Sequence, residues 1–278
     1  MGVTGAVKAM DDTGSNQGRD PANVAGSQRL RLTCNGGVAV LELHAPGRRN
    51  ALDLAAWKAL TGLPDTLRKR EVRAMVVHGA PGAFCAGADI AEFDTVRGDP
   101  ISARAYEAVN EAAFAALRDL PFPTVAAIDG ACFGGGFGIA AACDLRIASP
   151  ASWFAVPAAR LGLAYPVDAM ERIVAALGEQ AAKALLFTAD AEDADRMREV
   201  GFLWQLADDP FDQAMALANR MAAAAPLSLR AAKLAMAAVR GGDRKAAVEA
   251  GDATFDSRDY AEGRRAFREK RRANFEGR

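Results

Sequence analysis

A chain of 278 residues, 51% of them hydrophobic, is long enough to bury one large core or two small ones, which excludes a disordered or fibrous protein. Its 34 basic and 35 acidic residues leave a formal charge of -1, so no global field favours nucleic acid or an anionic membrane as partner, and any anion site has to be local. The four cysteines (Cys34, Cys85, Cys132, Cys143) lack Cys-x-x-Cys spacing and have only His44 and His78 to join them, which argues against a metal site and for buried thiols in a reducing, cytoplasmic compartment.

Residues 1–27 are rich in Gly, Asp, Asn and Ser, lack the continuous apolar stretch of a signal peptide or membrane span, and are expected to form a disordered tail. Two alternating segments, Leu30–Cys34 and Val38–Leu43, flank Asn35-Gly36-Gly37 and predict a hairpin. Between Asn50 and Lys69 the apolar spacing turns helical at Leu52, Trp57, Leu60, Leu63 and Leu67, with Pro64 ending a first helix. Ala74–His78 reads as a strand and Ala103–Leu120 as a helix. Thr124–Ile128 reads as a buried strand running into Gly134-Gly135-Gly136 and a helix that Ala140–Cys143 completes. Leu145–Ala148 is a further strand, and Phe154–Val156 an extended piece before Pro157. Strands alternating with helices predict an α/β core. From Asp168, which can cap a helix ending near Gly178, the chain turns helical: Glu179–Phe187, Asp193–Val200, Phe211–Ala224, Leu227–Arg240 and Lys245–Phe255 follow.

Two stretches carry the chemistry: Ala86-Gly87-Ala88-Asp89-Ile90 and Gly134-Gly135-Gly136-Phe137-Gly138. A helix that starts near Gly135 leaves its first amides unpaired at its positive end, and a second donor from the Gly87-Ala88 loop facing them would complete an oxyanion hole. Phosphate-loop and dinucleotide readings fail on detail, because no Gly-Lys-Ser/Thr follows the glycines and the Gly-x-Gly-x-x-Gly spacing is absent. Neither stretch holds a serine nucleophile, and Cys85 between Phe84 and Ala86 reads as an inert thiol. The basic run Arg264–Arg272, interleaved with Phe267, is either a solvated helix face or a segment whose cations reach a phosphate.

Over residues 28–278 the chain resembles the crotonase superfamily, the enoyl-CoA hydratase/isomerase group. Arg48-Arg49-Asn50-Ala51-Leu52, Phe84–Phe93, Asp129–Ile147 and Phe267–Phe275 look like its motifs, in its order. The resemblance implies an α/β fold, a crotonase-like spiral of β-β-α turns over 28–205, with a C-terminal helical trimerisation region over 206–278, assembled as a homotrimer or homohexamer. It implies an acyl-CoA thioester as substrate, with no cofactor, and a thioester carbonyl held by the amides of Ala88 and Gly135. Arg48, Arg49, Ala51, Ala86, Asp89 and Ile90 are its implied substrate-binding positions, and Lys270 is placed to approach the CoA phosphates. Asp89 also reads as a residue that orders its loop.

Hydratases of that group carry two glutamates that activate water, at positions that here are Gly138 and Ala158. Neither transfers a proton, which argues against ordinary hydration by that pair. Tyr165 and Asp168 are the candidate replacements; Tyr165 matches a tyrosine in members of the methylmalonyl-CoA decarboxylase type, and Asp168 reads first as a helix cap. The leading expectation is an acyl-CoA enzyme of the hydratase/isomerase group that stabilises a thioester enolate. Decarboxylation of a malonyl-type CoA is one alternative, and a non-catalytic acyl-CoA binding protein is another.

Overall fold

The computed structural model describes residues 22–278. The expected N-terminal tail lies outside the described residues up to 21, and its last part is corrected. Strand β1 (Ala22–Asn23) pairs antiparallel with β2 (Leu30–Asn35), and Val24 is buried because it completes the apolar layer under that pair. The hairpin of β2 and β3 (Val38–Leu43) forms as expected. Gly36 and Gly37 take φ of 56° and 81°, the backbone that a two-residue hairpin loop demands.

The helical stretch divides at Gly62 into α1 (Leu54–Thr61), capped by Asp53, and α2 (Leu63–Arg68), with Pro64 in its first turn where no N–H is needed. Strand β4 (Ala74–Gly79) follows, then the short α3 (Phe93–Val96) and the long α4 (Pro100–Arg118). A capping box between Asp99 and Ser102, with Pro100 in the first turn, starts α4 at Pro100 instead of Ala103. Then come β5 (Thr124–Ile128), β6 (Ala131–Phe133), α5 (Gly135–Ala142), β7 (Leu145–Ala148) and β8 (Trp153–Ala155). The remainder is largely helical: α6 (Val167–Leu177), α7 (Glu179–Thr188), β9 (Glu192–Asp193), α8 (Ala194–Glu199), β10 (Gln205–Leu206), α9 (Pro210–Ala222), α10 (Pro226–Val239), α11 (Arg244–Phe255) and α12 (Arg258–Glu269).

The main sheet runs β1-β2-β3-β4-β5-β7-β10, parallel from β3 onward. Its central strands β4 and β5 are buried on both faces, and the period of two sorts the side chains cleanly. Leu41, Leu43, Met75, Val77, Ala126 and Ile128 join the core against α1, α4 and α5, whereas Val38, Ala74, Val76, Val125 and Ile147 meet Ala214, Leu217 and Ala218 of α9. A second sheet, β6-β8-β9, delivers the chain to Gly134. Helix α5 is apolar all round and therefore buried, with Phe137 stacked on Phe202 at 4.5 Å. No single helix among the described residues is long and apolar enough to cross a membrane; α9 and α10 pass that test only as a pair bent by 108°.

Candidate active site

Three chain segments are zipped together by backbone. The Arg48–Leu52 segment meets the Ala86–Asp89 loop through Ala86 N–H donating to Arg49 O (2.9 Å) and Leu52 N–H to Gly87 O (2.8 Å), with Asp89 N–H returning to Leu52 O (2.8 Å). Asn50, fully buried, donates its amide to Ala80 O and Ala83 O and accepts from Ala45 N–H, which fixes its left-handed backbone (φ 56°). On the other side, Cys85 pairs with Cys132 of β6 through Cys85 N–H to Ala131 O and Phe133 N–H to Cys85 O, both 2.9 Å.

This zipper aims two amides at one cleft. The two bonds to Leu52 flank Ala88 in a parallel bridge, so the N–H of Ala88 faces away from Leu52, toward the cleft that Ala88 lines. The N–H of Gly135 opens α5, where no preceding carbonyl reaches it. Neither amide has a protein partner among the described residues. The two loops touch: a Cβ on Gly87 (φ 93°) would lie 2.8 Å from Gly135 N, so only glycine lets them close up. A Cβ on Gly135 would lie 2.8 Å from the buried ring of Trp57. At the other end of α5 the Arg146 guanidinium donates to Ala140 O and Cys143 O, compensating the negative end of the helix.

The rest of the cleft comes from α3, α4 and the 157–169 segment. A Cβ on Gly138 would lie 2.5 Å from Phe114 Cζ, so the Phe114 ring occupies the space a side chain at 138 would need; Ala158 lines the cleft. Tyr165 lines it too. Its hydroxyl would stand 3.6 Å from a Cβ on Gly134, and it makes no hydrogen bond among the described residues. Burial pushes its phenol far above the ordinary range, the Glu107 charge adding to the rise and Arg97 opposing it.

Sequence reasoning missed the charged wall. Glu107, Asn110, Glu111 and Phe114 follow i, i+3, i+4, i+7 spacing on α4, so one helix face lines the cleft. Glu107 pairs with Arg97, whose guanidinium lies over the Phe93 and Tyr106 rings at 4.6 and 5.0 Å. Glu111 pairs with Arg172 of α6 at 3.1 Å. The Oδ1 of Asn110 is buried without a partner. The signal available was a polar stripe inside an amphipathic helix, which reads by default as a solvent face.

Of the expected substrate-binding positions, Ala86 and Ile90 line the cleft, and Ala51 is buried beneath the zipped segment. The Asp89 carboxylate is corrected: it accepts from Arg29 (2.8 Å) and Arg48 (3.0 Å) and from Ala91 N–H, so its acceptors are turned to ordering the loop instead of to a ligand. Burial pushes Asp89 up, but those bonds and the two guanidinium charges outweigh it and hold its pKa below the ordinary range. Arg48 and Arg49 are exposed, and Lys270 caps the end of α12 in a left-handed conformation, outside the cleft lining. Asp168 is also corrected. Pro166 occupies the N-cap of α6, and Asp168 sits exposed in the first turn with no capping bond, because the preceding proline fixes the helix start. Burial pushes the Cys85 and Cys143 thiols up to about 12 and Cys132 well up, so none is a thiolate nucleophile, whereas Cys34 is only half-buried and not a core thiol. His78 packs on Phe211, outside the cleft.

Known proteins resemble this chain in sequence and fold. The enoyl-CoA hydratase/isomerase family model matches residues 33–278. The mitochondrial methylglutaconyl-CoA hydratase of Mus musculus is 30% identical over 87% of this chain and 81% of its own length. A crotonyl-CoA hydratase of Syntrophomonas wolfei is 31% identical over 86% of this chain and 94% of its own. The crystal structure of a putative enoyl-CoA hydratase/isomerase family protein from Hyphomonas neptunium superposes with a TM-score of 0.86 at 35% identity, covering 90% of this chain and 98% of that one. With its mixed α/β fold and helical C-terminal region matching crotonase-like structures, the chain belongs to the enoyl-CoA hydratase/isomerase family.

Proposed function

We propose that the protein is an acyl-CoA thioester enzyme that stabilises a thioester enolate in a backbone oxyanion hole made by the amides of Ala88 and Gly135. The observation that carries this reading is the pair of unpartnered N–H groups on two touching loops, each fixed by its own backbone bonds before any ligand arrives. Removing one such donor from an oxyanion hole typically slows turnover about 10² to 10³-fold. Electrons stay within the thioester throughout, so the chemistry calls for no cofactor. The four free cysteines suit a reducing compartment, as the expected cytoplasmic setting is.

The named relatives are hydratases, yet in this chain the positions assigned by resemblance to the water-handling glutamates are Gly138 and Ala158, with Phe114 filling the first. Classical hydration by that pair is therefore not part of the reading. Decarboxylation of a malonyl-type CoA is the second reading, favoured by the unbonded Tyr165 hydroxyl in the cleft, because loss of CO₂ generates the enolate without a base.

The test is the infrared carbonyl stretch of bound butyryl-CoA. It should shift to lower frequency on binding, keep most of that shift in Ala88→Gly, which retains the N–H and adds no atom, and lose much of it in Ala88→Pro, which removes one of the two donors. Binding with no shift in the wild type overturns the oxyanion assignment. Assays of CO₂ release from methylmalonyl-CoA and of absorbance loss from crotonyl-CoA separate decarboxylation from hydration, and turnover of neither these nor a 3-enoyl-CoA leaves a binding protein.

A further inference from the structure

The α4 wall raises a question that the oxyanion hole leaves open, namely what moves the substrate's proton. Helix α5 cannot supply a carboxylate, since Phe114 fills the space beside Gly138. Among the described residues the carboxylates lining the cleft are Glu107 and Glu111, both on the same face of α4. Glu107 and Tyr165 line the same cleft, and the Tyr165 hydroxyl stands at Gly134, one residue before the Gly135 amide. Asn110, one helical turn on, is buried and leaves its Oδ1 without a partner among the described residues, so the same face of α4 offers an acceptor to a bound group.

We propose that Glu107 is the proton carrier of this cleft, its carboxylate taking a proton from the carbon next to the thioester carbonyl and giving it back there or two carbons further along a 3-enoyl chain. This rests on the reading of Ala88 and Gly135 as the oxyanion hole. In the forward step the C–H bond breaks, its electron pair becomes the carbon–carbon double bond of the enolate, and the carbonyl π pair moves to the oxygen between the two amides. Return of the proton to the same carbon restores the thioester. Return to the γ carbon forms a C–H bond there and moves the double bond from the 3 to the 2 position. No oxidant, reductant or water is consumed.

The surroundings suit that task. Arg97 holds the Glu107 carboxylate in place and itself lies over the Phe93 and Tyr106 rings. Glu111 on α4, paired with Arg172 of α6, and Tyr165 are the other ionisable groups facing the cleft. Burial pushes Glu107 above the ordinary carboxylate range; the Arg97 charge and hydrogen bond pull it back, and the Glu111 charge adds to the rise. A base so raised is stronger than a free carboxylate.

The experiment follows deuterium uptake at the α carbon of butyryl-CoA in D₂O by NMR, with the double-bond shift of 3-hexenoyl-CoA beside it. The wild type should exchange, and Glu107→Gln should lose about 10² to 10⁴-fold of that rate with little change in butyryl-CoA affinity, while Glu107→Asp keeps part of it. Because Glu107→Gln strands the Arg97 charge, the neutral pair Glu107→Gln with Arg97→Gln is measured too, and should be equally slow. Exchange within threefold of wild type in either variant overturns the proposal. So does a wild type that binds butyryl-CoA with its carbonyl stretch shifted yet exchanges nothing, a result that leaves the oxyanion reading standing. Absence of the carbonyl shift removes the oxyanion reading and the role of Glu107 with it.

Discussion

Asp89 follows directly after the Ala88 amide, yet its carboxylate serves the scaffold. It gathers Arg29, Arg48 and the Ala91 amide, and Arg29 reaches on to Asp53, the cap of α1. The loop that aims the Ala88 N–H is thereby tied to the start of α1. Hydrogen bonds to a charged group are worth about 1.5–3 kcal/mol each, less where a partner such as Arg48 is half exposed. Asp89→Ala should therefore lower unfolding stability in urea at pH 7 by about 1–3 kcal/mol. The folded-state pKa is depressed, so this contribution is present above the unfolded-state value near about 4 and is lost as pH falls through the folded-state value. The gap between variant and wild type should accordingly shrink from pH 7 to pH 3. A gap that grows with acidification, or an Asp89→Ala protein as stable as wild type at pH 7, would show that the two guanidiniums do not depend on this carboxylate.

Helices α4 and α5 meet where a side chain at 138 would go, and the Phe114 ring has taken that volume with its edge against Trp57 at 5.5 Å. Gly138→Glu should cost about 1–3 kcal/mol by overpacking, and Phe114→Ala about 3–5 kcal/mol by leaving a void. Combined, they should cost clearly less than their sum, because each fills or clears the space the other disturbs. Strict additivity in urea unfolding would mean that Phe114 swings aside freely. The same junction shows what the sequence could and could not convey. Periodicity of two and of 3.6 located the hairpin, the longer parallel strands and most of the helices, since burial follows directly from that spacing, whereas the short β6, β10 and α3 offer too few residues to show a period. The glycine stretches pointed to the two amides, because only backbone was available there. The charged wall was not legible: a solvated stripe and a cleft-lining stripe at 107, 110 and 111 have the same spacing, and only the packing of α3 and α6 across it tells them apart. Asp168 misled for a related reason, since an acidic residue near a helix start looks like a cap until Pro166 takes that position.

On the scale of the whole molecule, helices α10, α11 and α12 leave their apolar residues uncovered. Val239 is 87% exposed, Phe267 86% and Phe255 66%, with Met236 and Val248 nearby in sequence also exposed. Helix α12 buries only Ala266 and Asp259, so the apolar ring of Phe267 in the basic run finds no seat within its own chain. The segment after α12 is nonetheless firmly placed, with Asp259 accepting the amides of Glu276 and Gly277 and Arg73 donating to Phe275 O at 2.8 Å. An ordered element that presents large apolar side chains to water is what an interface between copies requires, and closed symmetric assemblies are the usual outcome. The homotrimer or homohexamer implied by resemblance is thus expected to bury this surface. Light scattering behind size exclusion at micromolar chain concentration should give three or six times the chain mass, and Phe267→Asp together with Val239→Asp should release monomers with an unchanged circular dichroism spectrum. If the wild type runs as a monomer, or the double variant assembles as before, the helical region is not the assembly surface. If the monomeric variant also loses butyryl-CoA affinity, assembly and the cleft are linked, as they would be if Lys270 reached the CoA phosphates of a neighbouring chain.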